Sequence, residues 1–136
     1  MAGSKANYLE LEILDHIFGK GSYTPPTIYV ALYTVAPTDS TSGTECTGGS
    51  YARKSTAAGD WNTASTGGDD KGIIDNANDI TFVEATASWG TVVAFALMDA
   101  ASGGNMLYWG DLTESKAIGS GDTAKFAAGD LDIKED

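Results

Sequence analysis

The sequence contains few of the residues that build metal sites and disulfides. Among 136 residues there is one cysteine, Cys46, and one histidine, His16. A single cysteine excludes an intramolecular disulfide and a cysteine-rich zinc site, and a single histidine excludes a multi-histidine metal site. We therefore expect no metal ion and no cofactor.

Basic residues and long apolar runs are also scarce. Eight Lys and Arg residues stand against 19 Asp and Glu residues, a net charge of −11 with histidine neutral. Such a surface repels nucleic-acid phosphates and anionic lipid headgroups. The longest apolar run, Val92 to Met98, is far below the roughly 20 residues that span a bilayer, and acidic residues interrupt the first 20 positions where a signal peptide would be apolar. The sequence predicts cytoplasmic synthesis and no direct binding to nucleic acid or membranes.

Residue types that act in catalysis are present, but not in catalytic patterns. His16 is the only general base of the usual type and lies in a predicted helix, and no G-x-S-x-G sequence occurs. Most acidic residues fall in predicted turns, where they favour turn formation and solubility. The oxygen-rich segment Asp75 to Asp79 lacks the residue order of an EF-hand. We predict no catalytic residues, and keep a carboxylate-dependent hydrolase and a loop-bound ion as alternatives.

Apolar residues are nevertheless frequent enough to form a packed core, at 42% of the chain, and the length suits one domain over residues 1–136. An N-terminal arm and helix are expected over about 1–20, with the helix from Tyr8 to Phe18. Asn7 and Glu10 resemble a capping box at its start, and Gly19 supplies a stop. Its apolar residues form one stripe by helical spacing: Leu9, Ile13, Leu14, Ile17 and Phe18.

From about residue 26 onward the apolar pattern changes to the period of two that is typical of strands. Thr27 to Thr34 is apolar on both faces, which predicts a central strand. In Thr91 to Met98 the alternation places Val93, Phe95 and Leu97 on one face. Further strands are expected at 51–56, 79–84, 106–110, 123–126 and 130–134, with long polar loops at 36–50 and 57–78. Short strands without intervening helices predict an antiparallel β-sandwich, jelly-roll-like, of about seven or eight strands over residues 26–136.

Three residues stand out as candidates for an interface. Trp61 lies in a polar segment without apolar neighbours, and tryptophan is enriched at binding hot spots. An alternative role for Trp61 is a lid folded over the end of the sandwich. Tyr51 and Arg53 lie beside the long polar loop and have the same two possible roles. Trp89 and Trp109 flank strong strands and are expected in the core, where Cys46 would be a small filler.

Several short sequence motifs occur in order along nearly the whole chain, and together they are distinctive. In the N-terminal half they are Asn7-Tyr8-Leu9-Glu10, Ile13-Leu14-Asp15-His16-Ile17-Phe18, Tyr29-Val30-Ala31-Leu32-Tyr33-Thr34 with Ala36-Pro37-Thr38-Asp39, and Gly43-Thr44-Glu45 with Gly48-Gly49-Ser50-Tyr51-Ala52-Arg53. In the C-terminal half they are Trp89-Gly90-Thr91-Val92, Asp99-Ala100 and Gly104-Asn105-Met106-Leu107-Tyr108-Trp109-Gly110. In these stretches the chain resembles a family of small virion proteins of tailed bacteriophages. Members of that family are commonly labelled tail fibre proteins, and similar small β-sandwich proteins serve as capsid cement or decoration proteins. The resemblance implies a structural scaffold and no active site.

The resemblance, joined to the compactness of the chain and its lack of repeats, favours the cement role, since fibres are usually built from repeats or long shafts. The expected partner is the phage major capsid protein, the expected location the capsid exterior, and the expected assembly a homo-oligomer, dimer or trimer. The polar loops and the arm over residues 1–6 would become ordered on the capsid. The alternative is a tail-associated fibre or receptor-binding protein that contacts host-surface glycans through Trp61.

Overall fold

A computed structural model of the protein describes residues 3–135. In that part of the chain there are one α-helix, one 3-10 turn and eleven strands, most of them short. In chain order they are β1 (Gly3–Lys5), α1 (Asn7–Ile17), β2 (Tyr29–Val35), β3 (Thr44–Glu45), β4 (Lys54–Ser55), the 3-10 turn (Ala58–Asp60), β5 (Ser65–Thr66), β6 (Gly72–Asp75), β7 (Ile80–Thr81), β8 (Gly90–Met98), β9 (Met106–Ile118), β10 (Lys125–Phe126) and β11 (Asp132–Glu135).

The strands form one large sheet and two small ones. The large sheet has the order β1-β9-β8-β2-β3, with β4 also pairing with β2. The small sheets are β10-β7 and β11-β6-β5. All of these pairs are antiparallel, as the absence of helices between the predicted strands requires.

The main core lies between one face of the large sheet and the two small sheets. The large sheet contributes side chains such as Val30, Phe95 and Leu97, and the small sheets contribute Phe126 and Ile133. Phe95 is fully buried, and its ring packs edge-on against that of Phe126 at a centroid distance of 6.2 Å. This arrangement confirms the predicted mainly β, sandwich-like fold with one helix.

The other face of the large sheet is also buried, but it is built from small residues. Ala31, Ala94 and Ala96 have no exposed surface, and larger side chains, including Tyr33 and Trp109, pack around them. The prediction that β2 is a central strand with two apolar faces is therefore confirmed. Trp109 completes this second cluster, whereas Trp89 lies in the main core.

An irregularity in the pairing of β8 with β9 corrects the predicted alternation of β8. The register between β8 and β9 shifts between Val92 and Ala94. Val92 therefore joins Phe95 and Leu97 in the main core, and Val93 packs against the opposite cluster. The sequence pattern predicts Val93 on the same face as Phe95, which is wrong because the alternation of a regular strand does not continue across the irregularity.

The same register shift accompanies a longer β9 than the sequence predicted. The strand was expected to end at Gly110 but continues to Ile118. Asp111 pairs with Ala94 and Lys116 pairs with Val92, so the four residues between them, 112–115, bulge away from β8. Their polar composition hid the continuation of the strand.

The N-terminal region is fastened to the large sheet by contacts within the chain. Gly3 to Lys5 pair with β9, and Asp39 accepts hydrogen bonds from Ser4 Oγ at 2.9 Å and Trp109 Nε1 at 2.7 Å. The arm was expected to need a capsid partner for its order; residues 1 and 2 of it lie outside the described residues. The predicted capping box is wrong, because Ala6 is the N-cap and no side chain caps the helix.

The two polar segments predicted as loops contain strands. β3 lies in the first and β5 and β6 lie in the second, so both are organised by pairing inside the chain. Gly49 fixes one end of the first segment, since its φ is +51° and an added Cβ would lie 2.6 Å from the Ala87 carbonyl oxygen. Its own carbonyl accepts a 2.8 Å hydrogen bond from Trp89 Nε1.

The irregular pairing at Val92 to Ala94 predicts that two adjacent valines respond differently to the same substitution. Val92→Thr places a hydroxyl in the main core and should lower the free energy of unfolding by about 1–3 kcal/mol. Val93→Thr, at a half-buried position, should cost less than about 1 kcal/mol. Urea denaturation of both variants measures the difference, and an equal or larger loss for Val93→Thr would contradict the assigned register.

Candidate interaction surface

Arg53, one of the predicted interface residues, is engaged inside the molecule. Its guanidinium binds the Glu45 carboxylate through two hydrogen bonds, Nε to Oε2 and Nη2 to Oε1, each of 2.8 Å. Nη1 donates to the carbonyl oxygens of Ala100 at 2.7 Å and Gly103 at 2.9 Å. Only 7% of the Arg53 side chain is exposed. This bidentate pair therefore joins β3 to the turn between β8 and β9.

Tyr51 belongs to the same cluster. Its hydroxyl donates a 2.7 Å hydrogen bond to Glu45 Oε2 and accepts one of 3.0 Å from the backbone N–H of Leu32. Its ring meets Trp89 edge-on, with centroids 5.2 Å apart. Burial, with the adjacent Glu45 carboxylate, raises the pKa of the Tyr51 hydroxyl. Both residues hold the polar segment against the sheet, and their part in an interface stays a prediction.

The electrostatics of this cluster centre on Glu45. Burial alone would raise the pKa of its carboxyl, but the hydrogen bonds from Arg53 and Tyr51 outweigh burial and lower it. A carboxyl whose pKa is lowered on folding stabilises the fold while it is ionised. Cys46, the next residue, is buried in the main core as a filler, and burial raises the pKa of its thiol to about 11. That thiol is not a reactive one.

Trp61 covers one edge of the main core. It is half-buried and packs against the core cluster, and its Nε1 donates a 3.0 Å hydrogen bond to Thr56 Oγ1. Its backbone forms an isolated bridge with Asn76. Trp61 as a whole stays partly exposed, and both its lid role and its interface role stay predictions.

The oxygen-rich segment at 75–79 uses its side chains in packing. Asn76 is 1% exposed, donates to the carbonyl oxygens of Asn78 and Ala127, and accepts from the Leu131 N–H. Asp79 Oδ1 accepts from the Ala128 N–H. Across residues 3–135 no group of three or more His, Cys, Asp or Glu side chains is placed to hold a metal ion. The sequence did not indicate that Asn76 is buried and that its hydrogen bonds join the two small sheets.

A groove of about 750 Å³ separates the bulge of β9 from the segment 123–132. Its floor is apolar and includes Leu112, Ile118 and Phe126. Its rim carries both charges, for example Lys116 and Asp130. Because charges of both signs line the groove, its charge alone does not indicate one class of ligand.

Helix α1 presents an exposed apolar face, which the sequence did not anticipate. Leu9 is buried, but four other large apolar side chains on and just after the helix are 55–73% exposed: Leu11, Leu14, Ile17 and Phe18. The stripe predicted from Leu9, Ile13, Leu14, Ile17 and Phe18 does not form one covered face, because Leu9 is buried whereas Leu14, Ile17 and Phe18 are exposed. In residues 3–135, no helix is both long and apolar enough to cross a membrane.

Comparison with known proteins assigns the chain to a family. A family model described as podophage GP4 fiber I protein gp80 matches residues 4–134. The chain belongs to this family. No curated protein matches it. Since the match extends over nearly the whole described fold, the gp80 family shares this domain rather than a fragment of it. The predicted resemblance to phage virion proteins is confirmed at the level of a virion protein family.

The Glu45 cluster of this gp80-family protein predicts a pH-dependent stability. Glu45→Gln removes the charge that Arg53 and Tyr51 stabilise, and should lower the free energy of unfolding by about 2 kcal/mol at pH 7. Because the pKa of Glu45 is lowered in the folded state, its contribution is fully present above the ordinary value of 4.5 and is lost as pH falls through the folded pKa. The difference between wild type and variant should therefore shrink below pH 4.5.

Thermal and urea unfolding from pH 7 to pH 2.5 measure this difference. Glu84→Gln, which changes an exposed carboxylate outside the cluster, is the matched control and should leave stability within about 0.5 kcal/mol. A Glu45→Gln deficit that stays constant, or grows, on acidification would contradict the assignment.

Proposed function

We propose that the protein is a non-enzymatic structural subunit of a fibre on a phage particle. The observation that carries this proposal is the match of residues 4–134 to a family described as a podophage fiber protein. The structure supports a structural role, since the polar side chains around Glu45 and Asn76 form hydrogen bonds that hold segments of the fold together.

The compactness of the domain limits how it contributes to a fibre. A folded chain of 136 residues has a radius of gyration of about 14 Å, so one copy does not project far from a surface. A fibre that contains it has to combine several copies, or mount it on another virion protein. Assembly therefore requires at least one docking surface on this domain.

The second candidate is a capsid cement protein that binds the major capsid protein as a dimer or trimer on the capsid exterior. The same compactness favours it, because a small rigid sandwich suits the seams of a shell. Such a protein stabilises the assembled shell by mass action, since it binds the assembled state and not the separate subunits. The charge of −11 would keep free copies apart before docking.

Contact with host-surface glycans is a further possibility within the fibre proposal. The exposed part of Trp61 supports it, because indole rings supply large contact area. Trp61 Nε1 already donates a hydrogen bond to Thr56 Oγ1, so this N–H is not free to bind a sugar hydroxyl. Trp61 is therefore proposed as an edge contact and not as the centre of a sugar site.

Immunogold labelling of purified particles distinguishes the two attachment sites. We expect label at the fibres of the tail region. Label distributed over the whole head would overturn the fibre proposal in favour of cement, and absence of label from particles whose other proteins are detected would overturn both.

Particles assembled without this chain give an independent test. Loss of adsorption to host cells, with unchanged heat resistance of the head, is expected for a fibre subunit. Loss of heat resistance with normal adsorption is expected for cement. Restoration of the lost property by added purified protein is the control that assigns the effect to this chain.

A further inference from the structure

The exposed face of α1 is the most concentrated apolar surface among the described residues. Six large apolar residues are at least half exposed, and Leu11, Leu14, Ile17 and Phe18 are four of them. The remaining two, Val35 and Val83, lie elsewhere in the chain. A contiguous exposed patch rimmed by polar residues marks an interaction site.

Helical geometry explains why these side chains share one face. At 100° per residue, Leu11, Leu14 and Phe18 fall within about 60° of one another on a single stripe. Ile17 lies about 60° beyond Leu14, between this stripe and the side that carries Leu9. Leu9 and Ile13 fall on the opposite side of the helix, where Leu9 is buried. The stripe therefore points away from the contacts that hold the helix on the domain.

The patch is large enough for recognition but small for self-association alone. With about 150–200 Å² on a large apolar side chain, these exposed fractions amount to roughly 450 Å². A stable interface buries about 800 Å² on each partner. Two such helices laid side by side would bury less than this, whereas a groove that encloses a helix buries its flanks as well.

The charges beside the patch also favour a different molecule over a second copy. Glu10 and Asp15 lie on opposite sides of the stripe formed by Leu11, Leu14 and Phe18, with Glu10 between this stripe and Ile17, and both acids are exposed. A second copy would bring the same acids and a net charge of −11, which opposes association. A groove with basic residues along its rim would complement both flanks.

We propose that α1 docks its outward face into an apolar groove with a basic rim on another protein of the virion. The apolar stripe fills the floor of that groove, and Glu10 and Asp15 pair with Lys or Arg on its two edges. This inference rests on the proposed function, because it assigns the docking surface of a virion subunit.

Binding of purified protein to particles assembled without this chain tests the proposal. Leu14→Glu should weaken binding by about 30-fold or more, as expected for a central anchor. Val83→Glu, which adds the same charge at a valine of similar exposure, should change binding by less than about 3-fold. Thermal unfolding should show both variants folded, because both side chains are exposed.

Charge reversal on the flanks tests the basic rim. Glu10→Lys with Asp15→Lys should weaken binding by about 10-fold at low salt, with a smaller effect in high salt because screening weakens the native pairs. Glu84→Lys with Asp111→Lys makes the same change in net charge at exposed positions away from the helix. This control pair should bind like wild type, and equal losses in both pairs would overturn the basic rim.

A photo-crosslinking residue at position 14 identifies the occupant of the surface. We expect cross-links to a different virion protein, at a segment with Lys or Arg beside apolar residues, and far fewer from position 83. Cross-links to a second copy of this chain, or wild-type binding by Leu14→Glu, would overturn the proposal while leaving a virion role intact. Failure of the wild-type protein to bind any such particle would overturn the proposed function itself.

Discussion

The architecture depends on a large antiparallel sheet whose two faces must both be kept from water. Strands β2 and β8 carry apolar side chains on both sides, and exposing either face would cost about 25 cal/mol for each Å² of apolar surface. One face is covered by the small sheets. The other combines alanines with larger neighbours such as Tyr33 and Trp109. The remaining strands pack where they cover the two faces of the central strands.

The covering segments are too polar to stay in place by burial alone, and specific polar contacts fasten them. Arg53 and Tyr51 hold Glu45 against the sheet, Asn76 joins the small sheets, and Asp39 holds the N-terminal strand through Ser4. Removing one partner of such a contact leaves the other buried without compensation, which costs more than the contact itself stabilises. The polar residues that resemble a functional site in the sequence therefore serve the fold.

Helix α1 differs from the rest of the fold, because most of its large apolar side chains are exposed. Only Leu9 among its large apolar side chains is fully buried, while Leu14 and Phe18 remain in solvent. Neither stability nor solubility of an isolated domain requires this arrangement. The proposed docking of α1 on another virion protein would account for it, and membership in a phage fiber family agrees with that proposal.

The sequence by itself determined the fold class, the central position of β2, the helix and the small size of the core filler Cys46, because apolar periodicity and turn residues are local properties. The tertiary structure decided which faces are covered. Apolar spacing identifies the helix, but not that Leu9 is buried while Leu14 stays exposed. The irregular pairing of β8 with β9 places Val92 and Val93 in different clusters. The roles of Arg53 and Asn76 depend on partners about 50 residues away in sequence, and no local pattern records such a distance.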